Sequence, residues 1–213
     1  MYDIWNIINS FILLPTPKLM IIEKLRKYDV ILGSQSPRRK KLLKGMGLNF
    51  KIKICCEKEN YPKDLKAEDI AKFIAKQKAD FLLKELSGNY LLITVDTIVL
   101  KNNKLLNKPK NIHDAIRILK DLSGTTHNVI SGVCIKSIKK EVIFSSITKV
   151  VFNNISESEI NYYINKYKPY DKAGSYGIQE WIGAIGVKQI HGSFNNVVGL
   201  PTSELYQKLK LFI

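Results

Sequence analysis

From Tyr28 onward, short β-branched runs alternate with segments whose apolar residues recur every three or four positions, the pattern of an α/β protein rather than an all-α or all-β one. Asp29-Val30-Ile31-Leu32-Gly33 predicts a buried first strand. A helix over 37–44 follows: Ser36 suits an N-cap, and Pro37 stands at the first helical position, where a missing N–H costs nothing. Gly45 or Gly47 would end it. Residues 49–55 alternate like a second strand, and 67–86 place Ile70, Phe73, Ile74, Phe81 and Leu82 at helical spacing. Residues 90–100 form a continuous apolar, β-rich run containing one acid, Asp96. Helical periodicity returns over 112–122. Two strands, 129–138 and 141–152, are joined by a polar turn near Lys139, and a helix over 157–167 is capped by Ser156. Residues 171–199 are glycine-rich and irregular apart from a strand at 185–190, and a helix over 202–211 closes the pattern.

No repeat or low-complexity linker divides the sequence, and 213 residues suit one compact domain, with room for two lobes. Residues 4–22 include an apolar stretch, but Asn6, Asn9, Pro15, Pro17 and Lys18 interrupt it well short of the roughly 20 residues of a membrane span. It has neither the basic start of a secretory signal nor the arginine-rich character of a transit peptide. Residues 1–28 are therefore read as an N-terminal extension, able to dock on a single domain over 29–213. The expected location is the cytoplasm, with no membrane partner.

Composition and charge refine this picture. A chain that is 45% hydrophobic and 25% charged matches a folded globular protein rather than a disordered one. The formal charge of +15 points toward polyanions, nucleic acid or phosphorylated substrates. Yet Arg26, Arg38, Arg39 and Arg117 are the only arginines, and Lys, Asn and Ile recur throughout, as a mutational bias of the genome would produce. Cys55, Cys56 and Cys134 form no C-x-x-C pair and are odd in number, which argues against a disulfide framework or a zinc site and for a reducing compartment. Adjacent Cys55 and Cys56 read as small residues at a strand or its edge rather than as a redox pair.

Four places carry candidate chemistry. In Ser34-Gln35-Ser36-Pro37-Arg38-Arg39, between a strand and a helix N-terminus, hydroxyls, free backbone N–H groups, the helix dipole and two guanidinium forks converge, which suits a triphosphate. The plain alternative is a capped helix with solvated arginines, but adjacent arginines stand out in a chain that otherwise uses lysine. Asp96, alone in Ile93-Thr94-Val95-Asp96-Thr97-Ile98-Val99, needs a metal, a cation or hydrogen-bond donors if it is buried; otherwise it merely starts a turn. Lys108, before Pro109, and Lys78, on the long helix, can each hold phosphate as a point charge, although either could be solvated surface. The glycines of Asp171-Lys172-Ala173-Gly174-Ser175-Tyr176-Gly177-Ile178-Gln179 would let backbone approach a ligand, or mark an ordinary surface loop.

Taken in order, these strings resemble the Maf-like family of nucleotide pyrophosphatases, together with Leu32-Gly33, Asn107-Lys108-Pro109, Leu122-Ser123-Gly124-Thr125-Thr126-His127, Gly192-Ser193 and Asn196-Val197-Val198-Gly199-Leu200-Pro201. They run from Val30 to the C-terminal region with scarcely a gap. The resemblance implies a mixed, twisted sheet with flanking helices, folded into two lobes around a deep cleft and commonly paired as a homodimer. It implies hydrolysis of a nucleoside triphosphate between its α and β phosphates with a divalent ion, Mg²⁺, Mn²⁺ or Co²⁺. By position, Asp96 looks like the catalytic acid, acting as general base or metal ligand, and Glu59 like a second, metal-binding acid. The string Cys55-Cys56-Glu57-Lys58-Glu59 departs from the family's usual one and leaves Glu57 as the alternative. Ser34, Arg39, Lys78 and Lys108 match residues that hold phosphates.

Arg38, Thr97 and Gln179 are what the family's dTTP/UTP branch carries, whereas the branch acting on 7-methyl-GTP usually differs at all three. A glutamine amide can donate to a carbonyl and accept from an N–H, as the uracil or thymine edge requires. Modified pyrimidine triphosphates are further candidate substrates. Gly33, where the family commonly has alanine, is read as harmless, and Trp181 as able to reshape the cleft entrance. His127 and His191 lack ligand spacing and are read as structural. The competing class is a polyanion-binding regulatory protein on the same fold. It would explain the positive charge, but no aromatic-studded basic motif accompanies that charge, and Asp96 and Glu59 would oppose phosphate without a metal.

Overall fold

The computed structural model describes residues 20–57, 59–62 and 64–213. Most of the extension read at 1–28 therefore lies outside the described residues. Its last part forms α1 (Met20–Leu25), whose Ile21 and Leu25 are buried in the main core.

Along the described chain come β1 (Asp29–Gly33), α2 (Pro37–Gly45), β2 (Lys51–Ile52), α3 (Ala67–Leu83), β3 (Tyr90–Lys101), β4 (Lys104–Leu105) and α4 (Ile112–Leu122). The second half holds β5 (Thr126–Lys136), β6 (Glu141–Phe152), α5 (Glu157–Tyr167), a 3₁₀ turn (Ala173–Ser175), α6 (Trp181–Gly186), β7 (Val187–His191), α7 (Phe194–Val198) and α8 (Thr202–Phe212). The strands make one mixed sheet in the order β2-β1-β3-β5-β6-β7, with β4 folded back on β3. The expected α/β class and mixed sheet with flanking helices are found.

Local chemistry accounts for several boundaries. Ser36 caps α2 by accepting from the Arg39 N–H, and Asn111 caps α4 by accepting from Asp114. At α5, Ser156 and Glu159 exchange hydrogen bonds as a capping box. Two expected strands are corrected. The strand read at 49–55 shortens to β2, which pairs only with Ile31 and Leu32 before Ile54 and Cys55 turn along a cavity. The strand read at 185–190 starts instead at Val187, because Trp181–Gly186 is helical. The hairpin from β3 to β4 escapes the pattern: Asn102 and Asn103 take positive φ, which asparagine tolerates better than most residues.

The long strand β3 organises the rest. Over Tyr90–Thr94 it runs parallel beside β1, and at Leu100 and Lys101 it pairs with β4. Between these, among the described residues, that edge of β3 has no strand partner, while its other edge stays paired to β5. On one face Leu91, Ile93 and Val95 pack with Leu43, Leu205 and Leu209; farther along, Val99 packs with Ile118, Leu122, Phe152 and Tyr163. Thr97 falls at the seam between these two cores, so the two expected lobes meet where the sheet edge opens. On the other face α3 spans both halves, over Leu92 and Cys134 at one end and Ile98 and Ile130 at the other.

Helix α3 can lie this close to the sheet because Ala71, Ala75 and Ala79 make its inner stripe, each fully buried. Gly132, opposite Asp96 in the β3/β5 register, completes the fit: a Cβ there would stand 2.2 Å from the Ala71 carbonyl. Thr94 adds a hydrogen bond to the Ala75 carbonyl at 2.6 Å.

Candidate active site

A cavity of about 550 Å³ opens at the gap in the sheet edge, within the roughly 300–1,000 Å³ usual for small-molecule sites. Its position beyond the carboxyl end of β1 follows the rule that ligands of α/β sheets bind where strand order breaks. Gly33 through Arg39 form one wall, Asp96 and Thr97 the floor, and Lys78, Glu59 and Lys108 one end; Asp171–Ala173, Tyr176 and Gly177 form the other.

Because side chains alternate along a strand, Asp96 faces α3 and Thr97 the opposite side. The Lys78 ammonium donates to Asp96 Oδ1 at 2.7 Å and also pairs with Glu59 Oε1 at 2.8 Å. Asp96 is buried, and one lysine thus serves two carboxylates. Burial raises the Glu59 carboxyl, but the charge and hydrogen bond of Lys78, with Lys108 and Arg39 farther off, outweigh it and hold the group below its ordinary range.

Arg39 is fixed by three acceptors. Its Nε donates to the Gly199 carbonyl at 2.9 Å, one terminal nitrogen to Ser34 Oγ at 3.2 Å and the other to Thr97 Oγ1 at 3.0 Å. Burial lowers the guanidinium pKa; Asp96 opposes the shift, Arg38 adds to it and Glu59 opposes it. Behind Thr97 a buried polar chain runs through Ser131 Oγ at 2.9 Å to the Asn196 carbonyl, and the Asn196 amide donates to Val129 O, Ser146 O and Thr148 Oγ1. This ties the site floor to β5, β6 and α7.

At the far end Arg38 donates to Asp171 at 2.6 Å, and Lys172 bridges Asp171 at 2.8 Å and Glu180 at 3.1 Å. Burial would raise the Asp171 carboxyl, but hydrogen bonds and charge from Lys172 and Arg38 bring it down to about 2. Tyr163 donates its hydroxyl to Glu180 and accepts from the Gly177 N–H at 3.0 Å.

The sequence-predicted residues Ser34, Arg38, Arg39, Glu59, Lys78, Asp96, Thr97 and Lys108 thus meet in one cavity. Gln179 stands at the margin: it is exposed, and its amide nitrogen lies 3.5 Å from Glu180 and beside Gly177, which lines the cavity. Glu57, the alternative acid, lies outside this cavity as well. Trp181 packs edge-on against Tyr162 at 4.9 Å rather than at the cavity wall. Gly33 is not a neutral position here, since a Cβ would meet Thr94 and Leu82 at 2.6 and 2.8 Å.

His127 is buried and bonds Tyr176 at 2.7 Å, and desolvation lowers it to about 4, while His191 lies on exposed β7; neither joins the cavity wall. All three cysteines are free. Burial pushes the Cys134 thiol up to about 12.

Sequence reasoning placed Lys172 in a candidate loop without a role of its own, and passed over Glu180 and Gly132. A glycine inside an apolar strand run and alanines spaced by four on a facing helix were the available signal for the last.

No helix among the described residues is long and apolar enough to cross a membrane. The family model described as Maf-like protein matches residues 29–212. A dTTP/UTP pyrophosphatase of Flavobacterium johnsoniae is 47% identical over 194 residues, covering 91% of this chain and 100% of that protein. A dTTP/UTP pyrophosphatase of Phocaeicola vulgatus is 49% identical over 191 residues, covering 89% and 99%. A solved nucleoside-triphosphatase / dITP/XTP pyrophosphatase of Mycobacterium abscessus aligns over 86% of this chain and 95% of its own at 12% identity and a TM-score of 0.37, too distant to bear on the site.

Proposed function

The chain belongs to the Maf-like protein family, and from that premise we propose that it hydrolyses dTTP and UTP to the monophosphate and pyrophosphate. One observation carries the reading: a chain nearly half identical to dTTP/UTP pyrophosphatases gathers Asp96, Glu59, Lys78, Arg39, Ser34 and Lys108 around a single cavity.

The triphosphate lies along the 33–39 wall, where Arg39, Lys78 and Lys108 supply positive charge and the α2 N-terminus adds backbone N–H groups and its dipole. Because Asp96 Oδ1 accepts from Lys78, Oδ2 is the oxygen that takes a proton from water as the water attacks the α-phosphorus. The bond from that phosphorus to the bridging oxygen breaks, and pyrophosphate leaves with the electron pair. Charge growing on the phosphoryl oxygens is met by Lys78 and Arg39, which their hydrogen bonds already position, and by Lys108 on the cavity lining.

A divalent ion belongs to this reading. Two hard carboxylates, Asp96 and Glu59, end on one point now occupied by the Lys78 ammonium, and Mg²⁺ or Mn²⁺ is commonly held by one or two carboxylates completed by substrate phosphates and water. Asp96 and Glu59 would hold it, and when bound it would neutralise phosphate charge. The same reading makes the protein a cytoplasmic homodimer with no nucleic-acid partner.

The test is pyrophosphate release from UTP, dTTP, modified pyrimidine triphosphates, CTP, GTP and 7-methyl-GTP with Mg²⁺ or Mn²⁺, using the native chain and Asp96→Asn. UTP and dTTP should be turned over fastest, and Asp96→Asn should be nearly inert. Much faster release from 7-methyl-GTP, or none from any pyrimidine triphosphate, overturns the assignment. Sedimentation equilibrium tests the dimer.

A further inference from the structure

We propose that Lys172 reads the base, donating a hydrogen bond to the carbonyl at the ring 4-position of uracil or thymine; this rests on UTP and dTTP being substrates. Lys172 is 7% exposed and is the one buried lysine among the described residues. A buried ammonium is costly unless it is paired, and Asp171 and Glu180 pair it. The group has three N–H donors. Two go to those carboxylates, and because Lys172 is part of the cavity wall, the third is available to an acceptor inside.

The wall around it favours an uncharged acceptor. Arg38 is taken up by Asp171 and Lys172 is balanced by Glu180, so this end carries no net charge to attract phosphate. The opposite end sets three cations, Arg39, Lys78 and Lys108, against two carboxylates. Glu180 is itself held by Tyr163, which also grips the Gly177 backbone, so the ammonium is placed before any ligand arrives. Uracil and thymine present a carbonyl at the 4-position where cytosine presents an amino group, so a donor-only ammonium fits the first two and opposes the third.

The experiment compares kcat/KM for UTP and CTP in the native chain and in Lys172→Met. The native chain should favour UTP, and the variant should lose about 10- to 100-fold of that preference, mainly through UTP, as expected for a charge-assisted hydrogen bond. An equal fall for both nucleotides overturns the assignment of Lys172 and leaves the pyrophosphatase reading intact. A native chain that takes CTP as well as UTP overturns it too, and one that releases no pyrophosphate from UTP sinks the earlier reading with it. If circular dichroism shows Lys172→Met unfolded, Glu180→Gln decides in the same assay: it keeps the lysine but frees one side of it. A UTP/CTP preference lowered about threefold supports the proposal, and an unchanged preference overturns it.

Discussion

At one end of the cavity a strand, a helix and the loop before that helix hold Asp96, Lys78 and Glu59 in a cluster with Arg39 and Lys108 close by, cations in excess. At the other end a loop and a short helix hold Arg38, Asp171, Lys172 and Glu180 as alternating charges that cancel. The first arrangement attracts a polyanion and stays incomplete without one. The second satisfies itself and offers a donor at a neutral wall. Proximity to charge alone does not make a phosphate site; the imbalance of charge does.

If that contrast holds, substitutions at the first end should weaken every nucleotide alike, and substitutions at the second should change the preference among them. The largest effect is expected from Asp96→Asn, which should lower kcat on the order of 10³-fold for UTP, dTTP and CTP equally, as loss of a general base does. A base-dependent loss would break the comparison.

Next comes Gly132→Ala, which touches neither end directly. The added methyl meets the Ala71 backbone, so α3 must shift and carry Lys78 with it. Urea denaturation should show a loss of about 3 kcal/mol, with activity falling for all nucleotides together.

The base end also rests on His127, whose partner Tyr176 lines the cavity. Burial holds the folded His127 at about 4, so the unfolded chain takes up the proton first. Stability should therefore fall as pH drops through about 6.5 and level off below the folded value, with a total change of at most about 3 kcal/mol. Thermal melts of the native chain and His127→Gln from neutral pH to pH 4 check this, and the variant should show the shallower slope.

The smallest effect belongs to Arg38→Ala. It frees Asp171 and unbalances the neutral wall, and should change the UTP/CTP ratio by about tenfold while leaving maximal turnover of UTP within a few-fold.

Much of the scaffold was legible because local rules decided it. Pro37 after a capping Ser36, the capping box at Ser156, and the unbroken apolar run of β3 with one acid inside needed no tertiary information. The site residues near β1 and β3 were legible for a related reason: a lone carboxylate in a buried strand and paired arginines at a helix start each violate a local preference and so stand out.

The sequence by itself determined the succession of the main strands and helices, the lone acid at position 96 and the cationic turn after β1, because propensity, capping and periodicity act over a few neighbouring residues. Tertiary structure alone decided that β3 loses its partner at Asp96 and Thr97, and that Gly132 lets α3 bring Lys78 onto the acid. It also set Lys172 in the wall, since that outcome depends on groups such as Tyr163 and Glu180, which local patterns cannot see. Charges distant in the chain become a site only when packing removes the water between them, and packing is a property of the whole fold.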